Sequence, residues 1–470
     1  MLFNSRLFIL VFLPVALGGF LAAAKLGRRA AMLWLLAVSL VFYAWWKPPF
    51  LLLLLVSIGA NSGFGRMIPR GRFWLVAGLG FNLGLLGLFK YAVLFGATGI
   101  FLPLGISFFT FQQVMYLVDV ARGELGEVGF LDYACFIAFF PHLISGPIVR
   151  PGHILPQFAA LRPWEGLRER LVLGTEIFLL GLGKKLVLAD GLARFAEPGF
   201  AAAARHDPLS LIEAWVALLA YGLQIYFDFS GYSDMAIGLA RMFGIKFPVN
   251  FNSPYKARNI SDFWRRWNIT LSGFLRDYLY IPLGGNRQGE GKRIRNLMIT
   301  MLLGGLWHGA AWRFVLWGGL HGVYLVLHGW VERLGWRVPA RLGWGLTLLC
   351  VLLAWVPFRA EGFGAAMLFY KALFGGNGVA LPQIFAQAVP WLAAYVRVVP
   401  VLPYLGDART LSLPQGVLFL ALGWWIALAL PNTQEMTRNR RHMALLGSFA
   451  FSVQALFFAP AAVPFLYFQF

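Results

Sequence analysis

The stretch at residues 73–95, FWLVAGLGFNLGLLGLFKYAVLF, is apolar almost from end to end. As a helix it is long enough to cross the hydrocarbon of a bilayer, about 30 Å thick, which takes roughly 20 residues. Gly80 and Gly84 stand four apart within it, a small-xxx-small spacing that suits close helix packing. Working outward, apolar blocks at 7–24, 30–46 and 51–63 precede it. Others follow at 133–148, 171–188, 211–227, 235–247, 297–303, 314–327, 342–356, 417–430 and 445–470. The expectation is an all-α polytopic membrane protein with about 11 to 13 transmembrane helices, several of these blocks being too short for a simple crossing.

Composition agrees with that reading. Charged residues make up 13% of the 470, about half the share of a soluble globular chain, and hydrophobic residues 59%. The net charge of +20 would suggest nucleic acid in a soluble domain. Here the lysines and arginines gather in short segments between apolar runs, as the positive-inside bias requires, so nucleic-acid binding is set aside. Cys135 and Cys350 both lie in apolar stretches, which argues against a disulfide framework or a thiolate metal cage. The block at 7–24 resembles a secretory signal, but Lys25, Arg28 and Arg29 follow it at once. A cationic cluster resists translocation, so this is read as a first span with its N-terminus outside. The whole chain, 1–470, is taken as a single integral-membrane domain.

Two stretches break the pattern of simple spans. LPLGISFFTFQQ (102–113) is interrupted by Pro103 and Gly105, and WNITLSGFLRDYLYIPLGG (267–285) mixes a charge pair, Pro282 and Gly284 into an apolar run. Irregular backbone at membrane depth survives only where protein or a water-filled cavity surrounds it, so both read as re-entrant or interfacial segments. The stretch 375–413, with few charges, is placed outside the cell membrane.

Polar groups in so apolar a chain are candidates for function by default. Lys256, Arg258, Arg265, Arg266, Arg276, Arg287, Lys292, Arg293 and Arg295 are interleaved with Trp264, Trp267, Tyr278 and Tyr280. They read either as a cytoplasmic loop held at the headgroups or as a site for a phosphorylated cytosolic donor such as coenzyme A, with Arg265, Arg266, Arg276 and Trp264 as its candidate contacts. The run QIYFDFSGYSDMAIG (224–238) would set Asp228, Ser230, Tyr232, Ser233 and Asp234 in a membrane-level turn. Arg241 and the cations near Trp264 are the expected partners of its carboxylates. Asp190, after Lys184 and Lys185, reads as an ion pair at a helix end.

His321 and His328 stand two turns apart, about 10.5 Å, too far to share one metal easily, and no HExxH pattern joins them, so no metal site is expected. His308 differs in its setting, GGLWHGAAW (304–312). Gly305 and Gly309 let another backbone or a substrate approach the imidazole, while Trp307 and Trp312 supply apolar walls. An imidazole there can stay neutral and act as a general base. Glycine-rich helix packing alone would also account for the segment. Asp228, Ser230, Tyr232, Trp307, Trp312 and His321 are the expected lining of a substrate tunnel.

Taken in order, LPLGISFFTFQ, FFPHLISGPIVRP, GLGKKLVLAD, YFDFSGYSDMAIG, NFNSPYKARNISDFWRRWNITLSGFLRDYLYIPLGGNR and GGLWHGAAWRFVLWGGLHG resemble the membrane-bound O-acyltransferase superfamily. Within it they are most similar to the bacterial polysaccharide O-acetylation branch, alginate O-acetylation proteins included. The blocks occupy 102–322. The resemblance implies a helical fold around a central tunnel, with His308 as the superfamily's histidine and Asn268 as its second polar catalytic position. Alginate-type members carry histidine in a WHITLS block where this chain has WNITLS, and asparagine serves other branches there. An amide orients a group or donates to a developing oxyanion but cannot shuttle a proton.

The resemblance further implies a multi-pass protein of the bacterial inner membrane. It implies that no cofactor is bound and that the donor is acetyl-coenzyme A. Its acetyl group passes across the lipid bilayer to a periplasmic acetyltransferase partner and thence to a polysaccharide acceptor. The rivals are D-alanyl transfer to teichoic acid from a carrier protein, and a transporter or flippase without acyl chemistry, which would show an internal repeat.

Overall fold

Ser210 starts the element around which the rest is arranged. In the computed structural model, which describes residues 1–383, 387, 391, 396–399, 402–405, 413–458 and 463–466, the Ser210 hydroxyl accepts from the Glu213 N–H while the Glu213 carboxylate accepts from the Ser210 N–H. From this capping box the helix Leu211–Met242 runs unbroken for about 48 Å. Every residue from Ala220 to Ala240 is buried. A helix covered on all sides in this way is a core element.

This corrects one expectation. The blocks 211–227 and 235–247 are not separated by a turn: 224–238 is the middle of one helix. No proline interrupts it, and its carboxylates find lysine partners in the π turn that continues a neighbouring helix, so its polarity does not force the backbone out of regular structure.

That neighbour, Leu167–Gly183, lies antiparallel against it through paired glycines. A Cβ on Gly181 would meet the Gly231 carbonyl at 2.5 Å, and one on Gly174 would meet the Gly238 carbonyl at 2.7 Å. Close backbone approach of this kind is how helices gain dispersion contacts where lipid offers no hydrophobic drive. Gly80 and Gly84, by contrast, have nothing among the described residues within 4 Å of where a Cβ would stand. Their spacing does not mark a helix interface here, and that expectation is corrected.

Among the described residues five helices are long and apolar enough to cross a membrane: Pro49–Arg70, Arg72–Phe95, Leu211–Met242, Trp312–Arg333 and Ala340–Arg359. Shorter apolar helices are Phe8–Ala24, Ile106–Ala121, Phe363–Leu373 and Gly416–Ala429. Phe73, Val76 and Leu83 of the second span are exposed, an outward apolar surface that suits lipid rather than water. The N-terminal block is folded into the protein, since Phe3, Phe8 and Phe12 are buried in one aromatic cluster with Phe42 and Phe140.

Both irregular stretches are short elements. Gly105, in the left-handed region at φ 76°, precedes the helix Ile106–Ala121. Residues 267–285 form a seven-residue helix, Ile269–Leu275, and a π turn, Arg276–Tyr280. Much of 375–413, together with the end of the 445–470 block, lies outside the described residues. What is described of the former includes two three-residue parallel strands, Ala380–Pro382 and Arg397–Val399.

The glycine contact yields a stability prediction. Gly238→Val places two methyl groups against the Gly174 carbonyl, and overpacking of this kind costs about 1–3 kcal/mol. A lower thermal unfolding midpoint in detergent is expected, and an unchanged midpoint would show that the two helices separate freely.

Candidate active site

The helix Glu290–His308 ends at the histidine because Gly309 is extended, with φ −173° and ψ 159°. The chain re-enters helix at Trp312. A Cβ on Gly305 would strike the Phe314 carbonyl, and the Cα of Gly318 is 3.1 Å from the same point. What approaches beside Gly305 is therefore another backbone, one of the two possibilities its spacing left open. The two helices, packed so tightly, leave the His308 ring at their junction.

Among the described residues Trp307 and Trp317 stand edge-on to that imidazole at 5.0 Å between centroids, and Phe358 at 5.1 Å. His308 is 5% exposed. It forms one wall of an internal cavity with Ile225, Asp228, Phe229, Trp267, Trp355, Phe358 and Leu466. The cavity offers about 10 Å³ to water centres, room for about one water molecule. The expected tunnel is thus narrowed here to a water-sized space, with Trp267, Trp355 and Phe358 among its walls.

Asp228, the carboxylate on this cavity, does not pair with Arg241 or with the cations near Trp264. Its Oδ1 accepts from Lys185 Nζ at 2.7 Å and its Oδ2 from the Leu466 N–H at 2.9 Å. Lys185 also reaches Asp190 at 2.8 Å, the helix-end ion pair expected for that residue. Asp234 takes Lys184 Nζ at 2.7 Å and the Thr433 hydroxyl at 2.8 Å. The physical reason is proximity: the glycine contact sets the π turn Lys184–Ala189 beside the central helix, whereas the arginines after Trp264 lie at the surface. Ser230 is buried with its hydroxyl unpartnered among the described residues. Tyr232 points elsewhere, its ring stacked on Phe3 at 4.9 Å.

Of the other expected residues, Trp307 packs beside His308, on Phe108 and Phe111. Trp312 does not join them: it is 64% exposed, because the break at Gly309 starts the next helix on the outside. His321 is fully buried, stacked on Phe263 and edge-on to Trp264 and Trp317, with both ring nitrogens unpartnered among the described residues. Trp317 therefore bridges His308 and His321. Trp264 belongs to this aromatic group rather than to a surface cluster. Arg265 is exposed, Arg266 is tied to Asp262 at 2.8 Å, and Arg276 bonds Asp277 at 2.7 Å.

Asn268 is buried and left-handed, with φ 42° and ψ 56°, directly after the cavity residue Trp267. A clamp absent from the sequence reading holds this turn. The Asn250 side-chain oxygen accepts from Thr270 N at 3.1 Å and Oγ1 at 2.9 Å, its backbone carbonyl accepts from Ile269 N, and its amide donates to Ser233 on the central helix. Trp317, Trp355 and Phe358 were also missed, since aromatic residues on apolar helices carry no polar signal. Lys90 was missed although the signal was there, a lone charge inside the 73–95 run. Among the described residues no three His, Cys, Asp or Glu side chains gather in a group that could hold a metal.

The motif blocks therefore converge: Phe108 of the first, Ile148 of the second, Leu271 and Phe274 of the fifth and Trp307 of the sixth share one buried cluster. Residues 102–335 match the membrane-bound O-acyltransferase family model. The chain is 42% identical to the peptidoglycan O-acetyltransferase of Helicobacter pylori over 441 residues, 83% of each chain. The chain belongs to the membrane-bound O-acyltransferase family. This acyltransferase is also 42% identical to the probable alginate O-acetylase AlgI of Pseudomonas aeruginosa, over 80% of this chain and 75% of that one. Similarity to the teichoic acid D-alanyltransferase of Bacillus subtilis is lower, 29% over 49% of this chain and 60% of the other. Membership makes it an acyltransferase of multi-pass membrane architecture.

The Lys185–Asp228 pair, each side chain 2% exposed, gives a testable consequence. Lys185→Met alone leaves the buried Asp228 carboxylate short of its partner and should destabilise the fold by about 3–5 kcal/mol, whereas Lys185→Met with Asp228→Leu should recover part of that, Asp190 still lacking its lysine. Thermal unfolding of the purified variants checks it; equal losses in both would remove the pair from its structural role.

Proposed function

We propose that this acyltransferase takes an acetyl group from acetyl-coenzyme A on the cytosolic side of a bacterial inner membrane and passes it outward, for O-acetylation of an exported or cell-wall polysaccharide completed by a periplasmic acetyltransferase partner. The observation that carries the reading is the imidazole of His308, from the sixth motif block, on the wall of an aromatic-lined cavity to which the fourth and fifth blocks contribute Asp228, Phe229 and Trp267. The relatives named for alginate and peptidoglycan acetylation align along most of the chain, while the D-alanyl-transferring relative aligns over about half, which favours acetyl transfer over the D-alanyl rival.

In this reading His308 removes the proton from the acceptor hydroxyl as its oxygen attacks the thioester carbonyl. The new C–O bond forms, the C–S bond breaks, and the coenzyme A thiolate leaves with the proton returned by the imidazole. The Asn268 amide orients the acyl carbonyl and donates to the charge that develops on its oxygen. The aromatic walls leave room for no more than about one water molecule, which limits loss of the acetyl group to hydrolysis. Arg265, exposed near the Trp264 cluster, meets donor phosphates.

His308→Ala should fold as the wild type does and abolish both glycan acetylation and release of free thiol from labelled acetyl-coenzyme A; wild-type acetate content would reject the assignment. Thiol release by the wild-type protein separates an enzyme from a carrier. Arg265→Glu should raise the KM for the donor in a salt-sensitive way. A donor KM that does not change would leave Arg265 as a determinant of topology alone.

A further inference from the structure

A lysine inside a membrane span is costly, by about 2.5–3.5 kcal/mol at the centre of a helix on insertion scales. Lys90 is such a residue, 6% exposed, and among the described residues no carboxylate pairs with it. Its place follows from a local change in the helix. Arg72–Leu86 widens into a π turn at Gly87–Tyr91 before a last 3-10 turn. Inserted π turns re-aim side chains and recur at functional sites. Here Lys90 and Tyr91 both reach the Glu290–His308 helix.

What they meet is the carbonyl end of that helix. Lys90 Nζ donates to the Trp307 carbonyl and, at 2.9 Å, to Ser107 Oγ. It lies 5.7 Å from the Trp307 ring centroid. The Tyr91 hydroxyl donates to the Leu306 carbonyl at 3.1 Å. The last carbonyls of a helix have no intrahelical partners and carry the negative end of its dipole. Gly309 is extended, so no following turn supplies them. The helix end is thus the counter-charge of the lysine, and the lysine is the cap of the helix end. Lys90 does not line the cavity beside His308, so its ammonium acts on protein and not on a ligand there.

We propose that Lys90 is a positioning residue for the acyl transfer: by closing the helix that terminates at His308, with help from Tyr91, it fixes where the imidazole points. Its bond to Ser107 ties that end to the LPLGISFFTFQ block, whose Phe108 and Phe111 hold Trp307 from the other side. Its effect on turnover rests on the reading of His308 as the base; its effect on the imidazole does not.

The test uses full-length protein in lipid with ¹⁵N-labelled histidine. The ring signal of His308 is identified by its loss in His308→Gln. Lys90→Met and the milder Tyr91→Phe should both move that signal, the first further than the second. Lys90→Met should also lower kcat roughly 10- to 100-fold, as a small misplacement of a reacting group does, while leaving the donor KM within about twofold, as expected when ground-state binding is untouched. Lys90→Arg, which keeps the charge, should restore part of the lost kcat. A His308 signal that stays in place in both Lys90→Met and Tyr91→Phe overturns the proposal, and Tyr91→Phe alone decides it if Lys90→Met does not fold. A signal that moves in a protein without acetyl transfer would instead support the positioning and sink the functional reading.

Discussion

The contact between Lys185 and Asp228 is the interaction on which the interior depends. It places a cation and a carboxylate, both cut off from water, in the middle of the longest helix, and it exists only because paired glycines bring a second helix backbone against the first. Without the lysine, Asp228 would be an uncompensated charge in the core, which no packing of neighbouring side chains offsets. With it, the central helix runs unbroken through the protein and presents Ile225, Asp228 and Phe229 to one small cavity.

The other side of that cavity is made by a helix that stops. His308 is the last residue of its helix, and an imidazole at a helix end is held by whatever caps that end and by the rings around it. Trp307, Trp317 and Phe358 come from three places in the chain and meet it edge-on. The cavity they close is water-sized, so anything larger enters it only if the aromatic wall opens. Edge-on ring contacts are each worth about 0.5–1.5 kcal/mol beyond area burial, so such a wall is not locked shut.

Legibility followed the physics of each feature. The 73–95 run announced a membrane protein because an apolar stretch of that length has no other stable home. The histidine at 308 was conspicuous for the same reason in reverse, being a polar group where polar groups are expensive. The partners of Asp228 and Asp234 were not legible: charge alone made Arg241 as good a candidate as Lys185, and distance in space decided between them. The glycines misled in the same way. Gly80 and Gly84 have the spacing of a packing motif and meet nothing among the described residues, whereas Gly174, Gly181, Gly231 and Gly238 make the contact.

By itself, then, the sequence determined the solvent in which this chain folds, its helical class, and the short roll of polar residues from which a site could be drawn. Those properties follow from local composition, because every residue in hydrocarbon must satisfy its backbone within its own segment. Only the tertiary structure decided that residues 224–238 are helix and not turn, that Trp312 faces outward, that Asn250 clamps the Asn268 turn, and that Lys90 caps the helix of His308. Each of these is a pairing between segments far apart in the chain, and a hydrogen bond or ion pair between them is specified by where the backbones meet.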